Sequence, residues 1–138
     1  MPISEIKIVA SLYRHSFGGE PLLFRSPGRI NLIGEHTDYS YGLVLPGSID
    51  KCIYIAIGKR SDNIIQLLSA DYGYTHIVSL NHIQPAWKLW PNYILGVIAE
   101  FQKSGKRLSG FNIVYGGDIP LLQACYHQRL FVAVPPMR

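Results

Sequence analysis

From Pro27 to Gly42 the chain reads PGRINLIGEHTDYSYG, which gathers Arg29, Asn31, Glu35, His36, Thr37 and Asp38 around a short apolar step. Glu35 and Asp38 supply carboxylate oxygens that accept several hydrogen bonds each, and the His36 imidazole can donate or accept. A polyol needs both kinds of partner, so a sugar is the ligand these residue types suggest. Arg29, a permanent cation with forked donors, suits a phosphate or the charge that develops in phosphoryl transfer. Sugar and phosphate together suggest a sugar kinase. Two rival readings remain open. Glu35, His36 and Asp38 could ligate a metal, although three adjacent loop ligands without a second set make a poor zinc site. The stretch could equally be a solvated turn in which Asp38 caps local amides. Gly28, Gly34 and Gly42 serve first as backbone punctuation, and Asn31 is expected to brace the loop through backbone hydrogen bonds.

The elements that must position this cluster follow from periodicity. Ile6, Val9, Ala10, Leu12 and Tyr13 recur at helical spacing behind Ser4, a candidate N-cap, and Gly18-Gly19 supplies the stop. LLFRSPGRINLIG is interrupted by Pro27-Gly28, which predicts two short extended pieces around a turn, with Gly34 ending the second. The polar cluster then falls on a loop. CIYIAIGKR, IIQLLSA and THIVSL are rich in β-branched residues and separated by turn material, which predicts a meander of three antiparallel strands. A helix opening at Pro91 carries Tyr93, Leu95, Val97, Ile98 and Phe101 on one stripe and ends at Gly105, and GFNIVYGGDIP resumes a strand. The order implies an α+β fold with a mixed or antiparallel sheet and flanking helices, and not repeated βαβ units.

Composition narrows the function classes. With 138 residues, 48% of them hydrophobic and 16% charged, the chain is a globular one long enough for a core, without the long apolar run of a membrane span. The charge of +4 is scattered, so neither nucleic acid nor a membrane is expected as a partner. MPISEIKIVASLYRHSFGG is broken by Glu5 and Lys7 and lacks the apolar core of a signal peptide, so the cytoplasm is the expected location. Cys52 and Cys125 are too few for a disulfide framework, and Cys52, inside an apolar run, is expected in the core. Oligomeric state is left open.

PGRINLIGEHTDYSYGLVLP closely resembles the signature of galactokinases, members of the GHMP family of small-molecule kinases, at every fixed position. DKCIYIAIGKRSDN, WPNYILGVI and GGDIPL extend the resemblance from about Phe24 to Leu121. It implies the N-terminal part of a GHMP-kinase-like domain, with residues 1–121 as a galactose-binding segment. It further implies that Glu35, His36 and Asp38 bind galactose hydroxyls and that Arg29 lies beside the transferring phosphoryl group. Trp90 would lie towards the adenine. The implied reaction transfers the γ-phosphoryl of ATP to the 1-hydroxyl of α-D-galactose, with Mg2+. Tyr93 is expected in the core, with Trp90 undecided between core and ligand.

After GGDIPL the family continues into a Gly-x-Gly-Leu-Ser-Ser-Ser-Ala segment whose amides cradle the triphosphate. Here LQACYHQRLFVAVPPMR follows, with no glycine beyond Gly117, and the family's downstream catalytic aspartate has no counterpart. The fold is therefore expected to be incomplete, and residues 122–138, His127 and Arg129 included, to be an unrelated tail. Read one base out of phase from the last base of the Leu122 codon, permitted codons give Ala-Gly-Leu-Leu-Ser-Ser-Ala-Ala, which suggests a frameshift. The expectation is a galactose-binding portion that is silent as a kinase by itself. The alternatives are a catalytically silent galactose-binding or sensor module and a functionless fragment.

Overall fold

The computed structural model describes residues 3–34, 41–87 and 89–119. The chain opens with helix α1 (Ile3–Phe17), whose Val9, Ala10 and Tyr13 are buried. Ser4 lies within its first turn, not at the cap. Gly18 and Gly19 stop it in the left-handed region at φ 72° and 71°, with the Gly18 amide donating to the Arg14 carbonyl.

Strand β1 (Leu22–Ile33) is continuous, which corrects the expected break at Pro27-Gly28. Proline is tolerated because β1 is an edge strand and the pairing shifts at that point, from Pro27 opposite Cys52 to Arg29 opposite Ser48. The shift lets a proline that cannot donate to a ladder bend the strand without ending it. Strands β2 (Leu45–Lys59), β3 (Ile64–Ser69) and β4 (Tyr74–Ser79) follow, then helix α2 (Leu89–Lys103) and strand β5 (Phe111–Gly117). Gly105, at φ 78°, closes the end of α2 as expected.

The sheet order is β1-β2-β5-β3-β4. The predicted meander is corrected here: β3 and β4 form an antiparallel hairpin, but β5 is inserted between β2 and β3, antiparallel to the first and parallel to the second. Cross-strand rows account for the insertion. Ala56, Val114 and Leu68 align on one face, and Ile57, Ile113 and Leu67 align on the other. β5 is buried on both faces, with Val114 on one and Ile113 on the other, as suits a strand flanked on each side.

Each face is covered by one helix. Val9 and Tyr13 of α1 pack on Cys52, Tyr54, Ala56, Leu68 and Val114, and Leu95 and Ile98 of α2 pack on Ile57, Ile65, Leu67 and Ile113. Cys52 is fully buried, in accord with the sequence, whereas Tyr93 is exposed, because the buried stripe of α2 runs through Leu95 and Ile98 and turns Tyr93 outward. Gly58 is required by packing: a Cβ there would collide with the Tyr13 hydroxyl. No helix among the described residues is long and apolar enough to cross a membrane.

Candidate functional site

The C-terminal ends of β1, β3 and β5 share one end of the sheet, because β1 and β5 both run antiparallel to β2 and β3 runs parallel to β5. Arg29 is exposed there on β1, just past the register shift, and among the described residues it has no ion-pair partner. Gly28 is buried beside it; a Cβ would lie 3.0 Å from Ile49 and 3.1 Å from Ile119, so β1, β2 and the exit of β5 close on one another at this glycine. Asn31 is half-buried opposite Pro46. Gly34 turns the chain out of the sheet at φ 95°, and Leu45, paired with Ile33, brings it back. Glu35, His36 and Asp38 lie between these two anchors, outside the described residues. Tyr41, the first described residue after them, has φ 57°, a conformation uncommon for a side chain of its size.

The exit of β5 is fastened by Asp118. Its carboxylate accepts from the Cys52 amide at 2.7 Å, its own amide donates to the Cys52 carbonyl at 3.2 Å, and Lys51 stands 3.5 Å from the second oxygen. Partial burial alone would raise this carboxyl, but the Cys52 amide and the Lys51 ammonium together hold it below the usual value. On the other side of the same residue, the Arg25 guanidinium donates to the Cys52 thiol at 3.0 Å. Tyr54 lies alongside, its hydroxyl buried without a partner among the described residues; burial, then the neighbouring thiol, pushes the phenol up. The pairings Cys52–Asp118 and Arg25–Cys52 were missed from the sequence. They join residues 66 and 27 positions apart, with no local signal to announce them.

Trp90, in the first turn of α2, packs against the α2 face. Its ring lies 5.1 Å from Tyr115 of β5 and 6.1 Å edge-on to Tyr74 of β4. Its indole nitrogen is buried without a partner among the described residues. The two-way bond between the Asn92 side chain and the Ala86 backbone, at 2.6 and 3.0 Å, pins the preceding loop to this turn. That is a structural reason for an asparagine two places after the tryptophan, again not foreseen. The structure does not bring Trp90 next to Arg29: Tyr115 stands on β5, and β2 separates β5 from β1. No grouping of His, Cys, Asp or Glu among the described residues could hold a metal ion.

Residues 11–59 match the sequence family described as the galactokinase galactose-binding signature. The chain is 37% identical over 109 residues to a galactokinase of Roseiflexus sp., a match that covers 78% of this chain and 28% of that protein. With a galactokinase of Chloroflexus aggregans it shares 34% identity over 118 residues, 84% of this chain and 30% of the relative. The chain thus spans about 30% of the length of these curated relatives. Among solved structures, Lactococcus lactis galactokinase complexed with galactose superposes with a TM-score of 0.75 at 33% identity, over 84% of this chain and 31% of that one. Methanococcus jannaschii mevalonate kinase superposes at 0.59 with 21% identity, a likeness of fold alone. The chain is galactokinase-like: it carries the galactokinase galactose-binding signature on a framework of sheet and helices shared with solved galactokinase and mevalonate kinase.

Proposed function

We propose that this chain is the galactose-binding portion of a galactokinase and that its 138 residues do not phosphorylate sugar by themselves. The observation that carries the reading is the galactose-binding signature over residues 11–59, on a fold that superposes on a galactokinase complexed with galactose. In this reading Glu35, His36 and Asp38 receive and donate the sugar's hydroxyl hydrogen bonds. The anchoring of their segment by Gly34 and by the Ile33–Leu45 pair supports it, since a sugar site needs a loop held at both ends. The exposed Arg29 guanidinium, with no internal carboxylate to neutralise it among the described residues, is suited to meet phosphoryl charge.

ATP and Mg2+ would be the cofactors of the family reaction. The described residues hold no group of His, Cys, Asp or Glu suited to a metal ion, and no glycine follows Gly117 to let backbone approach a triphosphate; in this reading the phosphate end of the nucleotide is held outside these 138 residues. Trp90 is the candidate for the base, and its unpartnered indole nitrogen is what favours that role over simple core packing. The cytoplasm fits the reading, as does a small-molecule substrate without nucleic acid or membrane. Residues 1–121 form the galactose-binding segment and 122–138 a tail that is not galactokinase sequence. Titration calorimetry of the purified chain with galactose, with glucose as comparison, tests the proposal: saturable binding of galactose is expected. No binding of either sugar by a folded chain would sink it.

A further inference from the structure

The two edges of the sheet are built differently. The β1 edge carries Pro27, two register shifts, and the exposed Arg25 and Arg29, all of which obstruct pairing with another strand. β4 has no charged residue, no proline and no register shift. The Leu80 amide donates to the Asn63 carbonyl at 2.8 Å. Because ladder bonds alternate along an antiparallel pair, His76 and Val78 then exchange bonds with β3, and the amides and carbonyls of Thr75 and Ile77 and the amide of Ser79 are directed outward. The Ser79 carbonyl accepts from His82 at 3.1 Å; Thr75 and Ile77 find no such backbone partner among the described residues. Ile77 is 60% exposed, on the face away from α2, and α1 packs over β1, β2 and β5 instead.

We infer that β4 is a dimerisation edge at which a second copy of this chain pairs antiparallel, about a two-fold axis through Ile77, and so doubles the five-stranded sheet. A two-fold axis normal to the sheet keeps each residue on its own face, so odd positions must meet odd positions. Centring on Ile77 places it against its counterpart and Thr75 against Ser79 of the other copy. These are the residues whose outward backbone groups lack sheet partners. The edge therefore complements itself: an apolar pair at the centre is flanked by hydroxyl pairs. The net charge of +4 opposes association over most of the surface. β4, without Lys, Arg, Asp or Glu, is an edge at which two copies meet without setting like charges face to face.

Sedimentation equilibrium of the full chain tests this. At about 100 µM, far above a micromolar dissociation constant, the expected mass is twice 15.5 kDa. Ile77→Lys sets two ammonium groups face to face, and Thr75→Pro removes an outward amide that β3 does not use; each should weaken association at least tenfold. The register has its own readout. In a Cys125→Ser background, Ile77→Cys should form a covalent dimer on mild oxidation, since hydrogen-bonded antiparallel partners lie about 5.5 Å apart at Cα, within disulfide reach. A wild-type monomer at that concentration overturns the inference. So does association of any order that neither variant weakens, or an Ile77→Cys chain that links no faster than its parent.

Discussion

Asp38 and Arg29 divide the proposed chemistry between ground state and transition state. The acid would hold sugar hydroxyls before any reaction, whereas the arginine would meet charge that appears only as phosphoryl moves. Leaving one buried polar partner unpaired costs about 1–3 kcal/mol, so Asp38→Ala is expected to weaken galactose about ten- to a hundred-fold, with Arg29→Ala near wild type in the same calorimetry. Equal losses in the two variants would remove the division of roles. A second residue-scale expectation concerns Asp62, held down to about 2 by the two-bonded Arg60 guanidinium at 2.8 and 2.6 Å, with the Ile64 amide adding to it. A depressed folded value stabilises the fold above the ordinary value of 3.8, and that contribution is lost as pH falls through 2. Acid titration of the melting temperature should therefore show a decline between about pH 4 and 2 that Arg60→Gln flattens. In the sequence, a motif is what puts Arg29 and Trp90 forward as candidates. The hold of Asp118 on Cys52 and of Arg25 on its thiol depends on which strands become neighbours, and no short window of sequence contains that information.

Element types were readable because apolar spacing differs between helix and strand: α1, β3, β4 and β5 lie close to where that spacing puts them, whereas β1 runs unbroken through Pro27, β2 already begins at Leu45 and α2 opens at Leu89, before Pro91. Strand order was not readable. β5 takes its place because Val114 and Ile113 fit between rows contributed by β2 and β3, a match of surfaces and not of neighbours in sequence. Pro27 misled for a related reason: it breaks a central strand but not an edge strand with a register shift, and being an edge is a property of the sheet. Packing of α1 on β2 offers a direct check at this scale. A methyl group at position 58 would collide with the Tyr13 hydroxyl, so Gly58→Ala is expected to destabilise by about 1–3 kcal/mol, the usual range for overpacking. In a double-mutant cycle by urea denaturation, Tyr13→Leu should absorb most of that loss, because the collision is with the ring and its hydroxyl. Additive effects would show that Gly58 is required by the backbone and that α1 does not dictate it.

At the scale of the molecule, the proposal separates holding a sugar from transferring phosphate to it. Phosphoryl transfer depends almost wholly on positioning the donor and stabilising charge on the moving group, which calls for backbone amides at the triphosphate, together with a carboxylate base to take the hydroxyl proton. The 138 residues span about 30% of the galactokinases they match, and after Gly117 they contain no glycine with which to build the cradle. Asp118 is a poor candidate for that base, since its oxygens face the Cys52 amide and Lys51 as a fastening for β5. The purified chain with galactose, ATP and Mg2+ is therefore expected to form no galactose 1-phosphate above a control without protein. An extended chain in which Leu121 leads into a Gly-x-Gly-Leu-Ser-Ser-Ser-Ala segment and a full downstream half should gain galactose-dependent ATP consumption. In that longer enzyme, Arg29→Ala should lower turnover more than sugar affinity, because the cation acts on charge that the ground state lacks. Turnover by the 138 residues alone, prepared from a host without its own galactokinase, would overturn the separation, since these residues would then have to hold a phosphate by other means.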